Sequence, residues 1–97
     1  MVRVYARQDG DYQILAMTGH ASGSDVVCAA CSAIAYTLMG WLANNPEKAH
    51  VMTMRAESGS LRVAADGGAE MRAVFDAAVL GLMQIEAEYP DLVQVTD

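Results

Sequence analysis

GHASGSDVVCAACS, residues 19 to 32, is the segment of this sequence on which both the fold and the chemistry depend. Its first half is a polar loop, and its second half begins an apolar run with the composition of a helix. With Asp25 as the N-cap, Val26, Val27 and Cys28 are predicted to be the first three helical positions. The thiol of Cys28 would then lie in the first turn, where unpaired N–H groups and the helix dipole favour a thiolate. The segment therefore predicts a loop-to-helix junction that carries a reactive cysteine.

Two short β-like runs precede this junction. Apolar and polar residues alternate from Val2 to Arg7, and a second run from Tyr12 to Thr18 follows the polar turn Gln8–Asp11. Alternation with a period of two is typical of strands, and a Gly-containing polar turn between two such runs favours a hairpin. The sequence therefore predicts that a β-hairpin leads into the loop.

A long apolar run follows the junction. From Val26 to about Ala43 it has no internal Pro and is apolar nearly all round, so we expect a helix that is buried on more than one side. Asn44-Asn45-Pro46 would end this helix, because Asn tolerates the left-handed conformation and Pro cannot continue a helix. We expect no hydrophobic run that approaches the ~20 residues needed to span a bilayer, and therefore no contact with a membrane.

The second half of the chain repeats this order. The runs 50–56 and 60–65 are predicted to pair across Glu57-Ser58-Gly59. The predicted faces of the first run are Val51, Thr53 and Arg55 on one side and Met52 and Met54 on the other. Apolar residues then recur at helical spacing from Met71 to about Tyr89, where Pro90 follows, and Leu92 to Val95 can form a last strand.

The predicted order of elements is thus strand-strand-helix twice, followed by a strand. Hairpins that alternate with helices favour an α+β fold, in which two helices pack on a small sheet built from two hairpins and a C-terminal strand. A chain of 97 residues is predicted to form a single domain over residues 1–97.

Composition limits the partners of this domain. The net charge of −6 argues against binding to nucleic acid, whose phosphates are neutralised by Lys and Arg. The hydrophobic share of 54% exceeds what so small a core needs, which favours a homodimer. The N-terminus lacks the apolar region of a signal peptide, so we expect a cytoplasmic protein. No cofactor is expected.

His20 and Cys28 are the candidate catalytic pair. His20 lies at the predicted end of the second strand, eight residues before Cys28, and can fold back as a base for the thiol. A solvated loop histidine and a small buried cysteine are the simpler interpretations. His50, the other histidine, has no nucleophile near it in the sequence and is expected at the surface or at an edge of the sheet.

Several neighbours could support this pair. Asp25 either caps the helix or orients His20, and Ser32 shares the helix face of Cys28 and either lines the site or bonds to the main chain. Gly19 and Gly23 bracket the loop and allow backbone N–H groups to approach a ligand. Cys31 is expected to be a small buried hydrophobe.

The residues Thr18-Gly19-His20-Ala21, a Gly-containing loop, and Asp25-Val26-Val27-Cys28-Ala29-Ala30 followed by Ser32 resemble the signature of the ribosomal-processing cysteine protease family, often called Prp. The resemblance extends over the whole length. It implies a small α+β homodimer that removes an N-terminal extension from bacterial ribosomal protein L27. It also implies that Cys28 is the nucleophile and His20 the general base, with Asp25 and Ser32 as supporting site residues. No metal ligands are implied.

The loop departs from the family pattern. The family's loop covers the substrate, which assigns this role to Gly19 and to Ala21, Ser22, Gly23 and Ser24, but the loop is several residues shorter here. Cys31 stands where the family usually has an aliphatic residue and creates a Cys-x-x-Cys pattern.

Two other functions stay open. The first is a non-enzymatic dimeric accessory protein of the same fold. The second is a thiol redox or metal protein that uses Cys28, Cys31 and His20, for which zinc would also require His50.

Overall fold

The computed structural model describes all 97 residues. In chain order, its elements are β1 (Val2–Asp9), β2 (Tyr12–Thr18), α1 (Asp25–Asn44), β3 (Ala49–Glu57), β4 (Ser60–Gly67), α2 (Ala69–Glu88) and β5 (Val93–Thr96). This is the predicted order, and the fold class is α+β as predicted.

All five strands form one sheet with the spatial order β3-β4-β2-β1-β5. β2 pairs antiparallel with both β1 and β4, and therefore joins the two hairpins, whereas β5 adds in parallel to β1. The register places Thr18 opposite Ser60 and opposite Arg3. The residues that follow Thr18 consequently lie beside the β3–β4 turn and the start of β1.

Both helices pack on one face of the sheet and enclose the core. The largest buried side chains come from β1, β2, β4, β5 and both helices, and include Leu15, Val63, Leu38, Phe75 and Leu82. Because β2 is central, its inward side chains Leu15 and Met17 belong to the core that the sheet shares with both helices. One core of 19 buried residues results.

α1 is buried on one face only, so the expectation of burial on more than one side is wrong for the single chain. Its buried side chains are Val27, Cys31, Ala35, Leu38 and Leu42. The opposite face is exposed, with Val26 at 73% and Tyr36 at 55%. The physical reason is that α1 belongs to the outer layer of a two-layer fold, and a helix in such a layer has a neighbour on one side only.

The expectation of no run near membrane-spanning length is also wrong. α1 has 20 residues and a window mean hydropathy of 1.8, so by length and composition alone it could cross a membrane. Its buried face, however, is part of the core that it shares with the sheet and α2. Packing within this fold therefore explains the apolar residues of the buried face, whereas the opposite face stays exposed.

Two local predictions need correction. The register of β3 shifts between Val51 and Thr53, so Met52 is an extra residue without a partner on β4. As a result, Met54 packs against the core on the same side as Val51, where Thr53 was predicted. Asn45 does end α1, but with φ −132 and not in the left-handed conformation.

Candidate active site

A cavity of about 350 Å³ lies where the end of β2, the start of α1 and the β3–β4 turn meet. His20, Cys28, Ser32 and Gly19 all line it, together with Cys31 and Gly59. The structure therefore brings together both candidate catalytic residues and one of the two supporting residues. A larger groove of about 860 Å³ runs between β1 and α2, but it contains neither a histidine nor a cysteine.

Ser24, and not Asp25, is the N-cap of α1. The Ser24 hydroxyl accepts a hydrogen bond from the Val27 N–H at 3.2 Å, and the helix begins at Asp25. The prediction of Asp25 as the cap is wrong by one residue, because a Ser immediately before an Asp competes equally well for this position. Cys28 is consequently the fourth helical residue, and its N–H already donates to the Ser24 carbonyl at 3.3 Å.

The sulfur of Cys28 is in contact with the main chain of the loop. Sγ accepts a hydrogen bond from the Ala21 N–H at 3.1 Å and lies 3.8 Å from the Ala21 carbonyl oxygen. Cys28 is partly exposed, whereas Ala21 is buried, with only 4% of its surface exposed. An N–H donor directed at the sulfur stabilises negative charge on it. This contact supplies the sulfur with a donor that the sequence does not reveal.

His20 lies on the other side of the same cavity, against the β3–β4 turn. Its side chain is exposed, and its Nε2 would be 2.7 Å from a Cβ built on Gly59. The loop is tied to the turn by the Gly19 N–H, which donates to the Gly59 carbonyl at 2.9 Å. Gly19 has φ +90, and the position of its missing Cβ is occupied by the Met1 carbonyl oxygen. The backbone before His20 is thus held from two sides.

The remaining predicted site residues differ in their placement. Ser32 is half-buried and lines the cavity one turn after Cys28. Asp25 is exposed, does not line the cavity, and makes no side-chain hydrogen bond or ion pair. Of the predicted substrate-loop residues, only Gly19 lines the cavity, and Ser22 and Gly23 are exposed at the tip of the loop.

Cys31 lies at the inner wall of the cavity. It is 1% exposed, which confirms the expectation of a small buried residue. Burial raises the pKa of the Cys31 thiol, and the nearby Cys28 raises it further. His50 lies at the exposed start of the edge strand β3, and no three His, Cys, Asp or Glu side chains are grouped so that they could hold a metal ion.

Several lining residues were not found by sequence reasoning, among them Tyr36, Glu57 and Gly59. Tyr36 follows Cys28 by eight residues, about two turns along α1, a spacing from which it could have been predicted near the site. Glu57 and Gly59 belong to the β3–β4 turn. They reach the site only through the β2–β4 register, for which the sequence contains no local signal.

A partly exposed thiol at a helix start and an imidazole across the same cavity are the functional groups of a cysteine peptidase. The family model described as cysteine protease Prp matches residues 1–94, and the chain belongs to that family. It is therefore a cysteine protease of the Prp family. No curated protein matches the sequence.

Solved structures of similar proteins show the same fold. The essential ribosomal processing protease Prp from S. aureus with a covalently linked product peptide aligns with a TM-score of 0.81 at 20% identity, covering 99% of this chain and 98% of that one. The same S. aureus protein with a substrate peptide gives 0.80 at 18% identity, with the same coverage. SMU.848 from Streptococcus mutans gives 0.75 at 24% identity, covering 99% of this chain and 92% of that one.

Proposed function

We propose that this chain is a cysteine endopeptidase that removes the N-terminal extension of bacterial ribosomal protein L27, with Cys28 as the nucleophile and His20 as the general base. The observation that carries the proposal is that both side chains line one cavity whose mouth reaches solvent. Membership in the Prp cysteine protease family supports the reaction class, and the similar S. aureus Prp, a ribosomal processing protease, supports the class of substrate.

The reaction follows from these two groups. His20 takes the thiol proton, and the Cys28 sulfur attacks the scissile carbonyl carbon to form a C–S bond. His20 then gives that proton to the leaving nitrogen as the C–N bond breaks, which leaves an acyl-enzyme. A water molecule, deprotonated by His20, attacks the acyl carbon. The C–S bond then breaks to release the carboxylic acid, and His20 returns the proton to the sulfur to regenerate the thiol.

The developing oxyanion requires N–H donors near the sulfur. The Ala21 N–H is one such donor, since its acceptor is the Cys28 sulfur at 3.1 Å, and it can turn to the oxyanion as the negative charge moves from sulfur to oxygen. The Val27 and Cys28 N–H groups are less suitable, because both are bonded to Ser24. We therefore assign the donor role to Ala21.

The charge of the site suits a basic peptide. Glu57 is the only acidic residue that lines the cavity, and neither ion pair of the chain involves it. The chain as a whole carries a net charge of −6. These charges favour the approach of a segment rich in Lys and Arg through electrostatic steering.

We also propose that the enzyme works as a homodimer in the cytoplasm. Supporting this, α1 has no charged residue after Asp25, and its exposed face presents apolar side chains together with small ones such as Ala29 and Ala33. Ala33→Glu should convert the dimer to a monomer in light scattering, because it would bury a charge in the interface. Ala69→Glu, at an exposed position at the start of α2, is the matched control.

The deciding experiment is incubation of the full chain with full-length L27 that carries its N-terminal extension, followed by intact-mass measurement. We expect one cleavage that is abolished by Cys28→Ala and by His20→Ala and retained by Cys31→Val. Equal loss from Cys28→Ala and Cys31→Val would indicate a dithiol function instead. Absence of cleavage by the folded dimer would indicate an accessory protein.

A further inference from the structure

We infer that Gly59 is a positioning residue: its bare Cα is the surface on which the His20 imidazole rests, and its carbonyl holds the loop that carries His20. The inference rests on the proposed role of His20 as the general base. Gly59 itself has no functional group and takes no part in bond making.

The first observation is the closeness of the ring to Gly59. A Cβ on this residue would be 2.7 Å from His20 Nε2, 3.3 Å from Cε1 and 3.5 Å from Cδ2. Three atoms of one side of the imidazole therefore lie over a single Cα, and only a glycine leaves the space that they occupy. Without this space the ring would have to move by several tenths of an ångström or more.

The second observation is the hydrogen bond between the loop and the turn. The Gly19 N–H donates to the Gly59 carbonyl at 2.9 Å, one residue before His20. Gly59 thus contacts both the backbone that leads to His20 and the side chain itself. These two contacts restrict the position of the imidazole although His20 is exposed.

The third observation is that strand pairing within the sheet anchors the β3–β4 turn. Ser60, the next residue, pairs with Thr18 of the central strand β2, and Glu57 pairs with Ser60 across the turn. The turn therefore supplies a fixed surface for a histidine that lies in a loop. Catalytic geometry requires such support, because a displacement of about 1 Å can reduce the rate roughly 100-fold.

The chain contains a matched control. Gly10 lies in the other two-residue hairpin turn with φ +61, compared with φ +75 at Gly59, and nothing lies within 4 Å of a Cβ built on it. Gly10→Ala therefore introduces similar backbone strain without any contact to His20. Gly59→Asn is a second variant, since Asn tolerates positive φ better than Ala but still carries the Cβ.

The experiment compares wild type, Gly59→Ala, Gly59→Asn and Gly10→Ala by thermal unfolding, by the ring resonances of the histidines in NMR, and by cleavage of an L27 N-terminal peptide. The chain has only two histidines, so His50 serves as an internal reference. We expect both Gly59 variants to shift the His20 resonances and to lower kcat about 100-fold with little change in KM. Gly10→Ala should lower the melting temperature but leave His20 and kcat unchanged.

Unshifted His20 resonances in a folded Gly59 variant would overturn the inference. So would a normal kcat in that variant while His20→Ala is inactive. If wild type itself does not cleave the peptide, the proposed function fails instead. The resonances of His20 then still decide whether Gly59 positions the ring.

Discussion

The Ala21 N–H donates a hydrogen bond to the Cys28 sulfur across seven residues, with nitrogen and sulfur 3.1 Å apart. Because Ala21 is only 4% exposed, this contact anchors the short loop at the nucleophile. The loop thus has a fixed first half at Ala21 and an exposed tip at Ser22 and Gly23.

The first prediction concerns this hydrogen bond. Cys28→Ala removes the acceptor and leaves the Ala21 N–H without a partner, so its amide hydrogen should exchange faster by up to about tenfold, the equivalent of roughly 1.4 kcal/mol. Hydrogen exchange measured by NMR tests this. Cys28→Ser keeps an acceptor, so the exchange rate of the Ala21 amide should increase less in this variant. An unchanged exchange rate in Cys28→Ala would mean that the contact does not protect the amide.

The second prediction separates the two thiols. Cys28 is partly exposed, whereas Cys31 is buried and has a raised pKa, so iodoacetamide should modify only Cys28 in the folded protein. Intact mass should show one adduct in wild type and in Cys31→Val. Cys28→Ala should show none until the protein is unfolded, and rapid modification of that variant would place Cys31 at the surface.

The third prediction follows from the raised pKa of Cys31. Above the ordinary thiol pKa of about 8.5, the unfolded chain loses the Cys31 proton while the folded chain keeps it. The unfolded state then binds fewer protons, so the free energy of unfolding decreases as the pH rises. Denaturant unfolding from pH ~7 to ~10 should show this decrease in wild type and a smaller one in Cys31→Val. Equal slopes for the two proteins would contradict it.

The elements of the fold could be predicted because they depend on local pattern. The two hairpins show alternation and Gly-containing turns, and α2 shows helical spacing that ends before Pro90. The pairing of β2 with β4 and of β1 with β5 could not be predicted, because it joins segments far apart in the chain. The bulge at Met52 is equally nonlocal, since it is defined by the partner strand.

The candidate site divides in the same way. Cys28 and His20 were found because they lie eight residues apart around a recognisable helix start. Gly59 was not assigned to the site, because its contact with His20 depends on the register that places Ser60 opposite Thr18. Burial of Cys31 was predicted from residue type alone, and that general tendency was sufficient here.

The fourth prediction distinguishes Ser24 from Asp25. Ser24→Ala removes the cap that accepts the Val27 N–H and should lower the free energy of unfolding by ~1 kcal/mol. Asp25→Asn removes only a charge near the helix N-terminus, for which we expect a loss of ~0.3–1 kcal/mol. Because Asp25 does not line the cavity, cleavage by Asp25→Asn should stay within a few-fold of wild type. A loss of two orders of magnitude would instead assign Asp25 an orienting role.

The fifth prediction concerns Gln13, the only buried polar residue of the core. It is 5% exposed on the central strand β2, and its Nε2 is buried without a hydrogen-bond partner. Leaving such a group unpaired costs about 1–3 kcal/mol, so Gln13→Met, which keeps the length of the side chain, should raise the free energy of unfolding by roughly 1 kcal/mol or more. Gln94→Met, at an exposed position of β5, is the control and should have little effect. A lower free energy of unfolding in Gln13→Met than in wild type would contradict this prediction.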